Sequence, residues 1–292
     1  MQKIALIGVG LMGHGIASNV LKAGYQLRFF NHAGNQPTDD LIAAGAAGVD
    51  RLADLTSWAD AVMICVTGSA QVTDILTQPD GVLDTLRPGQ FVIDLSTAIP
   101  ASTQDLAAQV TAKGGHFFDA AMTRTPREAA AGRLNLLIGG DAALYAQIEP
   151  LLAAFSENRF FAGAAGAGHS LKLLHKDGSL GRASLLAEAA AAARAAGVNP
   201  DVFVDCLQKG GGYGAALDRM APYITRKSCE NLQFSNDNAL KDLGYFQTMM
   251  GDMGQTPPIA QAIHDAVADV VARGHGADYV PVQVDLFGTL PG

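Results

Sequence analysis

A glycine-rich turn between a predicted strand and a predicted helix lies at the N-terminus of this 292-residue chain. The apolar run over residues 3–7 predicts a strand and leads directly into the sequence GVGLMG, from Gly8 to Gly13. A helical pattern follows over residues 16–23, and a second apolar run over residues 25–30 completes a βαβ unit of about thirty residues. In this context the G-x-G-x-x-G spacing predicts a cradle for the pyrophosphate of a dinucleotide.

Each glycine of this turn has its own predicted task. Gly8 permits the tight turn, Gly10 lets the pyrophosphate approach the backbone, and Gly13 allows the helix to pack closely on the strand. Leu11 and Met12 lie within this loop and are expected to contact the cofactor, and the helix that follows directs its unpaired N–H groups and positive dipole end at the phosphates. Because glycine makes up 33 of the 292 residues, the spacing alone also fits an ordinary glycine-rich βα turn.

Composition favours a globular α/β protein of about two domains. Hydrophobic residues make up 49% of the chain and charged residues 16%, and the formal net charge of −8 argues against a nucleic-acid partner. The Ala-rich stretch over residues 185–197 contains Glu188 and Arg194, which argues against a membrane span. The first strand begins at Lys3, which leaves no room for a secretory leader, and three widely spaced cysteines fit a reducing compartment, so we expect a cytoplasmic protein.

Short apolar runs alternate with helical patterns through the first half of the chain, which is typical of a doubly wound parallel sheet. The predicted strands cover residues 3–7, 25–30, 61–66, 90–95, 115–118, 134–138 and 158–161. The predicted helices between them cover residues 37–44, 69–76, 101–113 and 142–155, with Asp141 as the N-cap of the last.

A long helix is predicted from His169 to Ala196, and the remainder shows helical periodicity only. We therefore predict an α/β fold with a Rossmann-like, doubly wound dinucleotide-binding domain over residues 1–163. An all-α domain for substrate binding and dimerisation follows over residues 164–292, joined by this long interdomain helix. So long and Ala-rich a helix is expected to pack against more than its own domain, which predicts a homodimer or a higher homo-oligomer.

The end of the second predicted strand is where dinucleotide-binding folds contact the 2′ position of the adenosine ribose. Here the sequence is Phe30-Asn31-His32. Asn31 is neutral and does not repel a 2′-phosphate, and a protonated His32 can donate a hydrogen bond to one. These residues favour NADP, with NAD as the alternative cofactor. The other interpretation is that Asn31 and His32 only shape a turn.

Five segments follow one another in a specific order: the loop GVGLMGHGIASNV, the segment DLSTAIP from Asp94, the stretch from Asp119 to Asp141, GAGHSLKLL around Lys172, and KDL from Lys241. In this order they resemble the β-hydroxyacid dehydrogenase family, which includes enzymes of the 3-hydroxyisobutyrate and tartronate-semialdehyde type. The resemblance covers nearly the whole chain. It implies a nicotinamide-dependent oxidoreductase that interconverts a small β-hydroxy acid and its semialdehyde.

Lys172 is the predicted catalytic residue. In the first turn of a helix its ammonium lies at the positive end of the helix dipole, and partial burial would lower its pKa further. This suits transfer of the proton that accompanies hydride transfer at a carbonyl group. The alternative is a solvated lysine, and the resemblance favours the catalytic role. The resemblance also implies that Lys241 reaches the cofactor or the substrate, for which the alternative is a surface lysine.

Polar residues after two predicted strands are expected to line the same site. Ser96 and Thr97 lie at the carboxyl edge of the sheet, where open α/β folds bind ligands. Their hydroxyls could bond the substrate's acid group or the nicotinamide ribose, unless Thr97 or Ser102 only caps the next helix. Val66 and Thr67 are similarly expected beside the cofactor.

The chain departs from the family after Asp119, where most members read D-A-P-V-S-G-G. Here Thr123, Arg124 and Thr125 occupy the end of this segment, and Arg124 replaces a glycine. A guanidinium pairs in bidentate fashion with a carboxylate, sulfonate or phosphate, and the sulfolactaldehyde reductases of the family resemble this chain here. We therefore predict a small anionic substrate held by these three residues. The alternative is that Arg124 points to solvent.

A second departure lies one turn after Lys172, where the family usually has Asn and this chain has Lys176, followed by Asp177 and Gly178. Lys176 is predicted to act with Lys172, since the two ammonium groups would repel and favour a neutral amine at one of them. Alternatively, Lys176 pairs with a nearby acid and Asp177-Gly178 loosens the helix.

Two other functions remain open on the residues alone. Imine reductases share this fold and cofactor loop, but they generally lack the catalytic lysine. A nicotinamide-binding sensor without turnover is the non-enzymatic alternative, against which Lys172 and the KDL segment argue. We expect no metal site, because His169 and His175 lack the carboxylate spacing of a ligand set and are better explained as loop or packing residues.

Overall fold

The computed structural model describes residues 1–287 and divides into two compact units, Met1–Lys172 and a second that begins at Leu173. The first unit contains the strands β1 (Lys3–Ile7), β2 (Gln26–Phe30), β3 (Ala47–Val49), β4 (Ala61–Ile64), β5 (Phe91–Asp94), β6 (His116–Thr123), β7 (Leu134–Gly139) and β8 (Ser156–Gly163). They form one sheet in the order β3-β2-β1-β4-β5-β6-β7-β8. Neighbouring strands are parallel except β6 and β7, which are antiparallel.

Helices cover both faces of this sheet. In chain order they are α1 (Leu11–Lys22), α2 (Asp39–Ala43), α3 (Leu52–Trp58), α4 (Ser69–Thr77), α5 (Val82–Thr85), α6 (Pro100–Ala112), α7 (Pro126–Ala130) and α8 (Tyr145–Ala153). Neighbouring side chains of β1 point to opposite faces, so Ile4 and Leu6 pack with α1 and α8, whereas Ala5 and Ile7 pack with α3, α4 and α6. Because both faces are buried, the strands read in the sequence as continuous apolar runs.

A long helix, α9 (Ala167–Ala195), begins in the first unit and continues into the second. The second unit also contains α10 (Pro200–Lys209), α11 (Ala215–Arg226), α12 (Asn236–Asp252), α13 (Pro258–Val270) and α14 (Gln283–Phe287). Of the helices in residues 1–287, none is both long enough and apolar enough to cross a membrane.

The predicted fold class is confirmed, since a doubly wound sheet precedes the long helix and a helical unit. The prediction missed β3 and α3, because a three-residue strand and a two-turn helix leave little periodicity in a sequence. The predicted strand that ended at residue 118 extends to Thr123, because the second half of β6 pairs with β7 up to the Thr123–Asn135 register. The predicted domain boundary after residue 163 stays a prediction.

The predicted N-cap at Asp141 is wrong. Helix α8 begins only at Tyr145, and its N-cap is Leu144. Asp141 instead accepts a hydrogen bond from the backbone N–H of Ala143 at 2.8 Å, within the turn that precedes the helix. A side chain that closes a local turn and one that caps a helix carry the same sequence signal.

The second unit contains a carboxylate, Asp285, on which three donors converge. The side chains of Arg194, Lys227 and Tyr223 all donate hydrogen bonds to it. Burial would raise the pKa of Asp285, but these hydrogen bonds outweigh burial and lower its pKa to about 2. This cluster joins α9, α11 and α14 within the unit.

We expect Asp285→Asn to lower the free energy of unfolding at pH 7 by on the order of 1 kcal/mol. Because the pKa is depressed in the folded state, the carboxylate stabilises fully above the ordinary value of 3.8 and loses its effect as pH falls from 3.8 towards 2. Urea titrations at pH 7 and pH 3 measure the free energy of unfolding of the variant and of the unsubstituted protein, and the difference between the two proteins should be smaller at pH 3. Asp269→Asn, which removes an exposed ion pair with Arg273, is the matched control and should lower the free energy of unfolding at pH 7 by less than Asp285→Asn does. Equal losses from Asp285→Asn at both pH values would contradict the prediction.

Candidate active site

The turn between β1 and α1 has the geometry that the glycine spacing predicts. Gly8 has a φ of +98°, and a Cβ added there would lie 2.2 Å from the carbonyl oxygen of Cys65. A Cβ on Gly13 would lie 2.0 Å from the carbonyl oxygen of Gly8. A Cβ on Gly10, by contrast, would meet no described atom within 4 Å. The packing of the protein therefore requires glycine at Gly8 and Gly13, whereas Gly10 faces open space.

This open space lies at the N-terminus of α1, whose N-cap is Gly10. The backbone N–H groups of the first turn and the positive end of the helix dipole face it, as a phosphate group requires. Leu11 is largely exposed beside this turn, whereas Met12 packs against the core of the sheet. The residues present thus fit the pyrophosphate of a dinucleotide.

A cavity of about 580 Å³ adjoins the turn and is lined by the loop over residues 31–38. Two hydrogen bonds join this loop to the turn: the N–H of Val9 donates to the side chain of Asn35 at 3.1 Å, and the N–H of Gln36 donates to the carbonyl of Val9 at 2.8 Å. The loop that lines the cavity is therefore fixed to the glycine-rich turn.

Asn31 and His32, the two residues predicted to select the cofactor, both line this cavity. The side-chain amide of Asn31 donates to the carboxylate of Asp50 at 2.7 Å, because β2 and β3 pair in a register that ends beside both residues. The Nδ1 atom of His32 accepts a hydrogen bond from the N–H of Gly34 at 3.0 Å. A neutral His32 accepting at Nδ1 carries its proton on Nε2, where it is a donor.

The polar residues after β4 and β5 are joined to each other. Ser96 is 3% exposed, and its hydroxyl accepts a hydrogen bond from the N–H of Val66 at 3.1 Å. Helix α6 begins at Pro100 with Ile99 as its N-cap, so neither Thr97 nor Ser102 is the cap residue. The hydroxyl of Ser96 therefore holds together the two loops that contain Val66, Thr67 and Thr97.

The predicted place of Lys172 in the first turn of the helix is wrong, because α9 begins at Ala167 and not at His169. Lys172 lies in the second turn and is 7% exposed. Its ammonium donates a hydrogen bond to the backbone carbonyl of Met122, which belongs to β6. The strand thereby holds the lysine side chain along the sheet, and the solvated-lysine interpretation does not fit this burial.

The segment predicted to bind an acid group follows Met122 directly. The Thr123 hydroxyl accepts from the side chain of Asn135 at 3.1 Å, and Thr125 forms a capping box with Glu128 at the start of α7. The guanidinium of Arg124, whose side chain is 28% exposed, pairs with the carboxylate of Glu157. Each of the three residues thus has a partner within the protein, and their substrate-binding role stays a prediction.

Arg124 also has an unusual backbone conformation, with a φ of +81°. This left-handed region suits glycine and costs a residue with a Cβ roughly 1–2 kcal/mol. The conformation explains why a glycine occupies this position in most members that the chain resembles. The ion pair with Glu157 offsets part of the cost in this chain.

Lys176 belongs to the second unit, where it lies 3.1 Å from the Asp242 carboxylate and over the ring of Phe234 at 3.4 Å from its centroid. Burial lowers the pKa of Lys176, although Asp242 opposes the shift. Lys241 lies 3.2 Å from the other oxygen of Asp242. Of the two interpretations of Lys176, the structure therefore shows the pairing with an acid.

The predicted loosening of the helix at Asp177 and Gly178 is wrong. Helix α9 runs without interruption through both residues. A Cβ on Gly178 would meet no described atom within 4 Å, so this glycine is tolerated at the exposed side of a long helix.

Sequence reasoning missed a buried polar cluster beside Lys172. Asp94, Asp119 and His169 are each at most 1% exposed, and the Thr103 hydroxyl lies 2.7 Å from Nδ1 of His169. A signal was present, since both aspartates come at or beyond the ends of predicted apolar strands and His169 opens the helix of Lys172. Across residues 1–287 no group of three or more His, Cys, Asp or Glu side chains is arranged to hold a metal ion.

Comparison with known families divides the chain into two parts. The family described as the NAD binding domain of 6-phosphogluconate dehydrogenase matches residues 3–163. The family described as the NAD-binding domain of NADP-dependent 3-hydroxyisobutyrate dehydrogenase matches residues 166–282.

Individual relatives match over most of their length. The NAD-dependent L-serine dehydrogenase of Pseudomonas aeruginosa is 33% identical, with 90% of this chain and 86% of that protein covered. The 3-sulfolactaldehyde reductase of Escherichia coli is 30% identical, with 94% and 92% covered. The solved structure of Mycobacterium tuberculosis 3-hydroxyisobutyrate dehydrogenase with L-serine has a TM-score of 0.88 at 26% identity and covers 98% of this chain and 99% of its own.

The different surroundings of the glycines predict different effects of substitution by alanine. Gly10→Ala should leave the melting temperature within about 2 °C of the unsubstituted protein and weaken dinucleotide binding at least tenfold, because its Cβ enters only the space left for the pyrophosphate. Gly13→Ala is the matched comparison and should lower the melting temperature by several degrees, because its Cβ overlaps the carbonyl of Gly8. Calorimetry and fluorescence titration measure the two effects. Unchanged binding by a folded Gly10→Ala variant would refute the assignment of the cradle.

Proposed function

This chain belongs to the β-hydroxyacid dehydrogenase family of nicotinamide-dependent enzymes that act on CH–OH groups, and we propose that it interconverts a small anionic β-hydroxy acid, or a sulfonate analogue, with its semialdehyde. One observation carries the proposal: Lys172 is buried at the start of α9 and held by Met122, in the same unit as the dinucleotide cradle.

Lys172 is the proposed acid and base of the reaction. A bound nicotinamide supplies the hydride for reduction of the carbonyl carbon and accepts it in the reverse direction. In reduction, the Lys172 ammonium donates a proton to the carbonyl oxygen, and in oxidation the neutral amine removes the proton from the hydroxyl. The Met122 carbonyl fixes the direction in which Nζ points, so that the proton is transferred from a defined position.

The acid group of the substrate is assigned to Arg124, together with Thr123, Thr125 and Ser96. The side chain of Arg124 is 28% exposed and pairs with the carboxylate of Glu157, which the acid group of a substrate would have to displace. The 30% identity to a 3-sulfolactaldehyde reductase and the 33% identity to an L-serine dehydrogenase support a small substrate with an acid group.

NADP is the proposed preferred cofactor and NAD the alternative. Asn31 stands where many NAD-binding folds have a carboxylate, and His32 is an exposed residue of the same loop. The alternative has its own support, because the Asp50 carboxylate lies 2.7 Å from the Asn31 amide and would repel a 2′-phosphate. Val66, Thr67, Thr97 and Lys241 complete the proposed contacts to the cofactor.

A cytoplasmic homodimer or higher homo-oligomer completes the proposal. All three cysteines lie among the described residues and form no disulfide, which supports a reducing compartment. Leu174 and Leu185 on α9 are 52% and 67% exposed, which supports a contact between copies of the chain along this helix.

The experiment that tests the function is a substrate panel of β-hydroxy acids, sulfonate analogues, L-serine and cyclic imines, each assayed with NAD and NADP by the absorbance of the reduced nicotinamide. We expect turnover with an anionic hydroxy acid or its semialdehyde. Turnover of imines alone would select imine reduction, and tight cofactor binding without any turnover would select a sensor. Either result would overturn the proposal.

Lys172→Ala should lower kcat at least 100-fold, as removal of a positioned acid and base does, with the Kd of the cofactor within threefold. Steady-state kinetics and fluorescence titration measure the two quantities. Lys113→Ala removes an exposed lysine in the same unit and should leave both unchanged. Retention of kcat by a folded Lys172→Ala variant is the outcome that excludes Lys172 as the acid and base.

Lys176→Asn should raise kcat/KM for simple β-hydroxy acids about tenfold, which corresponds to roughly 1.4 kcal/mol. The change restores the residue usual in the family, and Asp242 keeps its contact with Lys241. Lys209→Asn, which removes an exposed lysine of the second unit paired with Asp205, is the control. A fall in kcat/KM in Lys176→Asn but not in the control would contradict the prediction. It would show that the enzyme needs Lys176 for turnover of its substrate.

A further inference from the structure

Two carboxylates lie side by side inside the sheet of the first unit. Asp94 at the end of β5 and Asp119 in β6 are register partners, and they are 1% and 0% exposed. Burial raises the pKa of Asp94, and the charge of Asp119 adds to the shift, whereas His169 opposes it. A pair of neighbouring buried carboxylates is costly unless other groups compensate for it.

Asp119 holds the beginning of α9. One of its oxygens accepts the backbone N–H of Gly166 at 2.8 Å, and the other accepts the N–H of His169 at 2.7 Å. A Cβ on Gly139 would lie 2.5 Å from the first oxygen, and a Cβ on Gly168 would lie 2.7 Å from the second. The backbone is thus closed tightly around this carboxylate, as a buried helix cap requires.

Asp94 holds a different part of the site. It accepts the backbone N–H of Ser96 at 2.9 Å, and the Ser96 hydroxyl in turn accepts the N–H of Val66. The loops after β4 and β5, which are the proposed cofactor contacts, therefore depend on Asp94. Cys65 precedes Val66, and burial together with the charge of Asp94 raises the pKa of its thiol to about 12, so the thiol stays protonated.

His169 is the residue that contacts both carboxylates. Its Nε2 lies 3.8 Å from Asp94, and its Nδ1 lies 4.0 Å from Asp119 and 2.7 Å from the hydroxyl of Thr103 in α6. The Thr103 hydroxyl also lies 3.2 Å from the carbonyl of Ile99. The hydroxyl therefore joins the imidazole of His169 to the start of α6.

We propose that His169 is a positioning residue that holds Lys172 in a fixed position relative to the loops after β4 and β5. This inference rests on the proposed role of Lys172. Strand β6 holds α9 at two points, through Asp119 and through the carbonyl of Met122 that binds Lys172. The imidazole, anchored to α6 by Thr103, lies within 4.0 Å of both carboxylates and fixes the turn of α9 between these points. Displacement of a proton donor by about 1 Å is enough to lower a rate about 100-fold.

The test uses Thr103→Val, which removes the anchor of His169 and leaves every proposed contact to substrate and cofactor in place. We expect kcat to fall about tenfold, KM and the Kd of NADP to stay within threefold, and the pH profile of kcat to shift. In the protein without ligands, the rate at which acetic anhydride labels Lys172, followed by mass spectrometry, should change at least threefold relative to exposed Lys113. His169→Asn, which retains a polar group near the Nδ1 position but loses the atom facing Asp94, should shift the same readouts in the same direction.

Two controls separate positioning from general destabilisation. Thr103→Ser keeps the hydroxyl and should restore kcat and the labelling rate to within twofold of the unsubstituted protein. Thr56→Val removes another fully buried hydroxyl of the same unit, one with no hydrogen-bond partner among the described residues, and should change neither readout.

An unchanged kcat, pH profile and labelling rate in both Thr103→Val and His169→Asn would overturn the inference, as would failure of Thr103→Ser to restore them. This result differs from failure of the proposed function, in which Lys172→Ala itself keeps its activity. An inactive Lys172→Ala variant together with fully active Thr103→Val and His169→Asn variants would leave the function standing and remove only the positioning role.

Discussion

The buried carboxylate of Asp119 accepts the backbone N–H of Gly166, just before α9, and that of His169, in the first turn of α9, and the rest of this site depends on this interaction. A 29-residue helix presents several unpaired N–H groups at its first turn, and a carboxylate inside the sheet satisfies one of them, together with the N–H that precedes the helix, without access to water. The strand that contributes Asp119 also contributes the carbonyl that binds Lys172. One strand thus fixes both the origin of the helix and the direction of its lysine.

The two lysines of α9 have different interaction partners, although they lie only one helical turn apart. Lys172 donates to a backbone carbonyl in the first unit, whereas Lys176, one turn later, lies against a carboxylate and an aromatic ring in the second. The carboxylate of Asp242 lies 3.1 Å from Lys176 through one oxygen and 3.2 Å from Lys241 through the other.

The parts of the molecule that could be predicted are those determined by local sequence. The cradle at Gly8–Gly13 depends on a strand, a turn and a helix that are adjacent in the chain, and the structure has the positive φ expected at Gly8 and the close packing expected at Gly13. The Asp94–His169–Asp119 cluster depends on the register of β5 with β6 and on a helix that begins about fifty residues later, so no window of sequence contains it. The partners of Arg124 and Lys176 were equally out of reach, because Glu157 and Asp242 are distant in sequence.

The ion pair between Arg124 and Glu157 has a consequence for selectivity. If the guanidinium binds the acid group of the substrate, Glu157 is an internal competitor for the same donors, and the apparent affinity is the difference between two ion pairs. A weakly basic or poorly oriented anion would then gain no binding free energy by replacing the Glu157 carboxylate. The protein would bind only an acid group that pairs with the Arg124 guanidinium more strongly than the Glu157 carboxylate does. Discrimination among anions would then arise from the need to break the Arg124–Glu157 ion pair.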